Sequence, residues 1–430
     1  MNKLVWILLF LSNHLVGQEF SGGKTSSLIA QKVWDLTEVM YHDVVNPPAA
    51  ARFYAYSLLA GYEILSQLDK NTKPVQKAIK QYPVIQPGNT SEPVNKELAV
   101  LYGILEAGKT IIPSGYLLEM KQEQLISKVK EKIPKPVIQS SLLFAKGIVQ
   151  QLVQFAKRDG YFELSTLARY KPLSADSCWR PTAPEYMAAV EPHWRTIRTF
   201  FLDSVQQFIP MRPQPFDINR ESGFMRMAEE IYNTCKELSE EQKLIANFWD
   251  CNPFAVQFQG HMSIGLKKIS PGGHWMGIVG IAAEQAGLDF NKTLLLHTLT
   301  ALTLHDAFAS CWDEKYRSNR VRPETVINRY IDSKWKPLLQ TPPFPEYSSG
   351  HSVISTAVAE VLTAFIGDNF SFTDTVETYI GLPPRRFSSF RAAAAEARIS
   401  RLYGGIHFRD AIENGGEQGR RIGDFIISRL

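Results

Sequence analysis

Helical periodicity dominates this chain and limits the folds that it can adopt. Residues 49–65 place apolar and small side chains at helical spacing, directly after Asn46-Pro47-Pro48, a typical helix start. The same periodicity predicts further helices at residues 97–105, 139–156, 192–201, 240–248, 274–286, 292–312, 352–365, 390–402 and 411–430. The period-two patterns of half-buried strands are scarce. The sequence therefore predicts an all-α protein built from many packed helices.

Two stretches rich in proline, glycine and polar residues interrupt this pattern. Residues 171–192 predict a long connection between two halves of the chain, and residues 324–349 predict a long irregular loop. Long ordered loops in a compact protein frequently carry function. We expect a leader at residues 1–17, an N-terminal helical region at residues 18–190 and a C-terminal helical domain with the functional site at residues 191–430.

The first 17 residues have the order of a secretory leader. Met1-Asn2-Lys3 is a short basic start, an apolar stretch follows, and Gly17 offers a cleavage edge before Gln18. The apolar stretch is too short to span a bilayer, and no later segment reaches that length without charges. We therefore expect a periplasmic or secreted protein with no membrane span.

Charge and cysteine content exclude some partners and leave others open. The net charge is only +4 over 430 residues, without a block of like charges, so nothing indicates binding to nucleic acid or to an anionic membrane. The spacings of Cys178, Cys235, Cys251 and Cys311 fit no zinc signature, and the sequence leaves open whether these thiols are free or paired. His274 is expected to cap a helix or to support a site from behind, and it is not assigned to a metal.

Three short segments in the last third of the chain carry most of its chemistry. The segments are Lys315-(six residues)-Arg322-Pro323, Pro345-Glu346-Tyr347-Ser348-Ser349-Gly350-His351, and Ser400-Arg401-(three residues)-Gly405-Ile406-His407. Each segment alone is a weak signal, because a lone arginine is usually a surface residue and Ser-Gly-His is frequently only a helix cap. Their joint order and chemistry predict one shared site.

The cations of these segments suit a tetrahedral oxyanion. Lys315 offers a point charge, and the planar guanidinium groups of Arg322 and Arg401 bind oxyanions through two hydrogen bonds. We therefore predict a pocket for a tetrahedral oxyanion.

The start of the helix predicted after the Ser-Gly-His turn adds further donors. Ser349 offers a hydroxyl, and Gly350 lets a ligand come close to the backbone amide, where free N–H groups and the helix dipole favour an anion. His351 and His407 add a proton donor and a nucleophile or ligand.

The pattern K-x6-R-P, then S-G-H, then S-R-x3-G-x-H resembles the superfamily of vanadium-dependent haloperoxidases and type 2 phosphatidic acid phosphatases (PAP2). Segments outside the pocket are similar to the soluble haloperoxidase branch, namely residues 47–62, 178–182, 191–194, 273–275 and 306–307. The resemblance implies a multi-helix bundle of the vanadium haloperoxidase and PAP2 type, with a vanadate cofactor whose site phosphate can also occupy.

The resemblance also implies a role for each site residue. His407 would ligate the vanadium of vanadate, and His351 would take and return protons. Lys315 would polarise the bound peroxide. The oxygens of the cofactor would be neutralised by Lys315, Arg322, Ser349, Gly350 and Arg401. Hydrogen peroxide and a halide would be the substrates, with a small organic molecule as a further acceptor.

Two aromatic residues are expected to form a halide pocket. Trp312 lies three residues before Lys315, and Phe344 lies five residues before Ser349. Aromatic residues at these positions resemble the halide pockets of fungal chloroperoxidase and bacterial iodoperoxidases. An apolar wall leaves a halide weakly solvated. Iodide and bromide are easier to oxidise than chloride, so we expect one of these two.

The sequence departs from the family pattern at two places. Ser348 replaces the proline that usually precedes Ser-Gly-His, which is expected to loosen that turn. Ala411 stands where the phosphatases carry an acid that orients the last histidine. The carboxylate partner of His407 therefore stays open, with Asp306, Asp313 and Glu413 as the candidates.

Two other functions use the same residues. A secreted acid phosphatase of the PAP2 superfamily would form a phosphohistidine at His407, with the same cations stabilising the transition state. A relative without activity would only bind the oxyanion, although the two intact histidines argue against it. The aromatic wall and the absence of spanning helices favour the haloperoxidase.

Overall fold

The computed structural model describes residues 26–259, 262–265 and 267–430, so the predicted leader at residues 1–17 lies outside the described residues. Thirteen α-helices and four short strands make up the regular structure of the described chain, apart from short 3-10 turns. The prediction of an all-α protein is confirmed.

Five helices form the N-terminal half. They are α1 (Ser26–His42), α2 (Pro47–Leu68), α3 (Lys96–Ile111), α4 (Leu118–Val129) and α5 (Lys135–Ala156). Helix α2 starts as the sequence predicts, since the side chain of Asn46 accepts a hydrogen bond from the backbone N–H of Ala49 and two prolines follow the cap.

Eight helices form the C-terminal half. They are α6 (Gly223–Lys236), α7 (Glu240–Phe248), α8 (Pro271–Gln285), α9 (Phe290–Ser318), α10 (Pro323–Tyr330), α11 (Gly350–Ile366), α12 (Phe390–Tyr403) and α13 (Arg409–Arg429). The strands are two antiparallel pairs, β1 (Val256–Gln259) with β2 (Met262–Gly265) and β3 (Phe372–Asp374) with β4 (Arg385–Phe387).

One large apolar core joins the two halves. It extends from Ile29 in α1 to Ile426 in α13, and α2 packs against both α3 and α9. Helix α9 therefore lies between the N-terminal helices and the packed pair α11 and α13. The predicted boundary at residue 190 stays a prediction.

Helices α11 and α13 pack closely because of glycine. A Cβ atom at Gly419 in α13 would lie 2.2 Å from the carbonyl oxygen of Val353 in α11, so no other residue allows this approach. The pair gives the N-terminal end of α11 a fixed position beside the loop that precedes α13.

Some local predictions are wrong. Residues 192–201 contain only a short 3-10 turn (Trp194–Thr196), because the backbone N–H groups of Phe200, Phe201 and Leu202 bind the buried carboxylate of Asp306 instead of a helical carbonyl. Helix α10 lies inside the stretch predicted to be irregular, and α1, α4 and α6 were not predicted.

Among the helices of the described residues, none combines the length and the apolar character that crossing a lipid bilayer requires.

Candidate active site

The three segments singled out from the sequence meet at the ends of five helices. Lys315 lies near the end of α9, and Arg322 is the N-cap of α10. Ser349 is the N-cap of α11, Arg401 lies in the last turn of α12, and His407 comes just before α13. Because helix ends carry free backbone donors and acceptors, this meeting point is suited to a polar ligand.

Three cations are buried at this point. Lys315 and Arg322 have no exposed surface, and Arg401 is 2% exposed. Burial lowers the pKa of Lys315 to about 8 and the pKa of Arg322 to about 9, and it lowers the pKa of Arg401 as well. Grouping such charges away from water is costly unless an anion joins them, so the site has a strong preference for a negative ligand.

Backbone carbonyl groups hold the cations in place. The Nζ atom of Lys315 donates to the oxygens of Pro345, Glu346 and Ser348 at 3.2, 3.1 and 2.5 Å. The guanidinium of Arg322 donates to the oxygen of Phe344 at 2.9 Å. The loop before α11 therefore wraps around the ammonium group and fixes its position.

Ser348, which stands where the family usually has proline, lies in the same loop. This residue is fully buried, and its hydroxyl donates to Oε1 of Gln418 at 2.8 Å. Together with the hydrogen bond that Lys315 donates to the carbonyl of Ser348, this contact holds the turn, and the expected loosening by the missing proline stays a prediction.

His407 is held by a carboxylate that the sequence did not indicate. Its Nδ1 lies 2.9 Å from Oε1 of Glu346, and Nη1 of Arg322 lies 3.2 Å from its Nε2. A carboxylate accepts the proton of Nδ1, which leaves a lone pair on Nε2. Burial, and then the charge of Arg322, lower the pKa of His407 well below 6.5, so the ring is neutral at pH 7.

The three acids considered from the sequence lie elsewhere. Asp306 binds the backbone of residues 200–202, Asp313 accepts from Gln206 and Arg317, and Glu413 pairs with Arg409. The sequence shows that Glu346 is an acid inside the Pro345-to-His351 segment, but no local pattern indicates its contact with His407.

His351 lies in the first turn of α11 and lines the open cleft. Its ring is hydrogen-bonded to the carbonyl of Trp249, and its buried Nε2 has no partner among the described residues. Burial, and then the charges of Arg401 and His407, lower the pKa of His351 well below 6.5. A neutral imidazole nitrogen facing a cleft can accept or return a proton.

Aromatic and apolar residues form the wall of the cleft. The rings of Trp312 and Phe344 lie 5.0 Å apart, and both line the cleft together with Phe254 and Phe308. The indole N–H of Trp312 donates to the carbonyl of Val190, so it does not add a donor to the cleft. The structure places both predicted wall residues as expected, while the role of each predicted site residue stays a prediction.

Comparison with known proteins identifies relatives of this chain. A family model described as the VCPO second helical-bundle domain matches residues 295–430. A bacterial vanadium-dependent iodoperoxidase of known crystal structure is 42% identical, with a TM-score of 0.89, and the match covers 94% of this chain and 96% of that chain.

More distant solved structures share the fold. The apo form of a bacterial vanadium-dependent chloroperoxidase is 15% identical with a TM-score of 0.68, covering 90% of this chain and 95% of its own. The holo form gives 15% identity and a TM-score of 0.66, covering 90% of this chain and 93% of its own. No curated protein sequence matches the chain.

Proposed function

This chain belongs to the vanadium-dependent haloperoxidase family, and on that premise we propose that it uses vanadate and hydrogen peroxide to oxidise iodide or bromide. The overall reaction consumes peroxide, halide and one proton, and it yields hypohalous acid and water. The observation that carries the proposal is the 2.9 Å contact between Nδ1 of His407 and Glu346 beside three buried cations, which leaves Nε2 of His407 as the ligand atom. Iodide is supported further by the 42% identity to an iodoperoxidase.

The residues present fit vanadate on evidence within the structure. The buried Nε of Arg401 and the buried Nε2 of His351 have no hydrogen-bond partner among the described residues, so both are free for a ligand. A Cβ at Gly350 would meet Trp312 and Lys315 at ordinary contact distances of 3.7 and 4.0 Å. Packing therefore does not require glycine at position 350. The room that glycine leaves for an oxyanion beside the backbone amides of α11 accounts for its presence.

We assign the residues that would hold vanadate from the family resemblance, and their meeting at one buried point supports the assignment. His407 would ligate vanadium through Nε2, and the oxygens would be neutralised by Lys315, Arg322, Ser349, the Gly350 amide and Arg401. Bound vanadate supplies a Lewis acid that activates peroxide without changing its own oxidation state. Glu346 keeps the proton on Nδ1 of His407, so that Nε2 stays a ligand.

His351 is positioned to handle the proton that the reaction consumes. Its buried Nε2 has no hydrogen-bond partner among the described residues, and the residue lines the cleft beside Arg401 and His407. Burial lowers its pKa well below 6.5, so the ring is neutral before the reaction and its free nitrogen can accept a proton.

The wall of the cleft supports oxidation of a large, weakly hydrated halide. Trp312 and Phe344 present apolar surface directly beside Lys315, whose Nζ lies 5.1 Å from the centroid of Phe344. Such a wall removes water from iodide or bromide at low cost, whereas a bulky polar phosphate ester gains little from it.

Paired assays test the function. Iodide oxidation and monochlorodimedone halogenation are measured with peroxide, with and without orthovanadate, beside hydrolysis of p-nitrophenyl phosphate. We expect halide oxidation that requires vanadate and that phosphate inhibits by occupying the same site. Ester hydrolysis that vanadate inhibits, without halide oxidation, would instead establish the phosphatase, and anion binding without either activity would establish a binding protein.

We also propose export of the protein, supported by the leader-like order of its first 17 residues. The four cysteines are unpaired in the structure, so the fold does not need an oxidising compartment. N-terminal sequencing of the mature protein should begin at Gln18, and a mature chain that retains Met1 would exclude the leader.

A further inference from the structure

Three side chains of the types that ligate metal ions lie together behind the oxyanion site. Cys251 follows α7, His274 lies in the first turn of α8, and Glu377 lies in the 3-10 turn after β3. All three side chains are buried. Cys251 also lines the active-site cleft, so the group lies directly behind its wall. The catalytic role proposed above uses none of these side chains.

The three ligand atoms form a nearly equilateral triangle. Nδ1 of His274 lies 3.1 Å from Oε1 of Glu377 and 3.3 Å from Sγ of Cys251, and these two atoms lie 3.7 Å apart. A tetrahedral zinc ion with bonds of about 2.0–2.3 Å separates its ligand atoms by about 3.3–3.6 Å. The triangle therefore has the dimensions of one face of a zinc coordination shell.

Hydrogen bonds can also link the three side chains, because Nδ1 of His274 and the thiol of Cys251 can each donate to Oε1 of Glu377. Although burial opposes it, the charge of Asp374 raises the pKa of His274 well above 6.5. A zinc ion would therefore have to displace the protons of the ring nitrogen and of the thiol. A cation inside the triangle interacts with all three atoms at once.

The surroundings of His274 match those of a metal ligand. Its other ring nitrogen, Nε2, lies 2.7 Å from Oδ2 of the buried Asp374. Metal-binding histidines almost always donate their second N–H to a carboxylate or carbonyl, which fixes the ring and frees the first nitrogen. The ring of Trp249 stacks on His274 with centroids 4.6 Å apart, which further restricts its orientation.

We propose that Cys251, His274 and Glu377 bind a zinc ion, with Asp374 orienting the histidine. A thiolate, an imidazole and a carboxylate in tetrahedral spacing are the donor set that zinc prefers among common divalent metals. Among the described residues no fourth Cys, His, Asp or Glu joins this group, so we expect water to complete the shell. Burial raises the pKa of the Cys251 thiol to about 11, and zinc binding would displace that proton.

The ion would fix the position of a backbone segment that contacts the oxyanion site. The backbone carbonyl of Trp249, two residues before Cys251, accepts a hydrogen bond from Nη1 of Arg401 at 2.7 Å and another from the ring of His351. Zinc would hold this stretch of backbone to α8 and to the turn at Glu377. It therefore acts as a positioning element for two groups of the cleft.

Metal analysis of the whole protein tests the site. Protein purified without chelator and passed over a desalting column is measured by elemental mass spectrometry. We expect about one zinc per chain in the wild type, and at least a tenfold lower zinc content in Cys251→Ser and Glu377→Gln. Cys178→Ser is the matched control, because Cys178 lies outside the triangle, and it should keep its zinc.

A measurement on the wild type does not depend on how well the variants fold. Zinc-edge X-ray absorption should show a first shell with one sulfur atom at about 2.3 Å together with nitrogen and oxygen. A wild-type protein that holds no zinc after incubation with zinc chloride and desalting would overturn the proposal. Bound zinc without a sulfur ligand, or zinc that Cys251→Ser retains in full, would also overturn it.

Discussion

Nδ1 of His407 lies 2.9 Å from Oε1 of Glu346, across 61 residues of sequence. The same oxygen accepts the backbone N–H of Phe408 at 2.9 Å, so the carboxylate holds both the ring and its main chain. The ring cannot turn without breaking the contact, and its Nε2 therefore stays directed at Arg322. The basicity and direction of the expected vanadium ligand thus depend on one buried acid.

Glu346→Gln tests this dependence. The amide keeps the size of the side chain but loses the charge that fixes the proton on Nδ1, and loss of such a supporting group typically weakens metal affinity about 10–100-fold. Titration of the vanadate-free enzyme with vanadate, followed through iodide oxidation, measures the change in vanadate affinity. Asp410→Asn is the matched control, because Asp410 also pairs with the Glu346 partner Arg320 but does not contact His407. Equal losses in both variants would show that only the Arg320 network matters.

The two histidines of the cleft should separate binding from turnover. His407→Ala removes the ligand atom, so we expect loss of both vanadate affinity and activity. His351→Ala removes only a group that exchanges protons, so vanadate affinity should change by less than about tenfold while kcat falls about 10²–10⁴-fold. Vanadate binding by calorimetry and kcat for iodide are measured side by side. A His351→Ala enzyme with unchanged kcat would contradict the assigned role.

Vanadate affinity should fall at alkaline pH as Lys315 loses its charge. Its pKa in the free protein is lowered by burial to about 8, so the ammonium is charged below this pH and loses its charge above it. An anion binds the charged form better, and affinity should fall by about tenfold per pH unit above pH 8. Lys315→Met should bind vanadate weakly at pH 7 and should lack the fall in affinity that begins near pH 8 in the wild type. Binding curves of the two proteins that stay parallel to pH 10 would contradict this assignment.

The sequence predicted helices best where the apolar periodicity of one segment is clear without contacts from other segments. Helix α11 could be predicted because a full apolar face follows the Ser-Gly-His turn, and it begins within two residues of its predicted start. Helix α1 was missed because its buried side includes Lys32, Asp35 and Thr37, which obscure the apolar periodicity. Some of these polar groups find partners only in the folded protein, as Thr37 does with Tyr54 and Asp35 with Lys121.

Contacts between segments far apart in the chain could not be predicted from the sequence. The helix predicted at residues 192–201 is replaced by an irregular stretch because Asp306, over 100 residues later, binds its backbone. Glu346 is the site residue that the sequence missed, since nothing local to it indicates His407. Similarly, Cys251, His274 and Glu377 come from three separate segments without a zinc spacing, and only the fold brings them together.

Phe344→Leu tests the apolar wall of the halide site. The ring of Phe344 lies 5.1 Å both from Nζ of Lys315 and from Cζ of Arg322, so it covers two cations that a smaller side chain would leave open to water. Such contacts contribute about 0.5–1 kcal/mol at exposed sites and about 2 kcal/mol or more when they are desolvated, as both cations are here. We expect kcat/KM for iodide to fall about 3–10-fold, mainly through a higher KM, since a hydrated halide enters less readily.

Phe308→Leu is the matched control for that change. Phe308 lines the same cleft and its ring lies 5.4 Å from that of Trp312, but it has no ring contact with either cation. The same loss of volume there should reduce kcat/KM for iodide by less than about twofold. KM and kcat for iodide at saturating peroxide and vanadate distinguish the two variants. Equal effects would mean that cleft volume alone, and not the ring that covers Lys315 and Arg322, determines access of the halide.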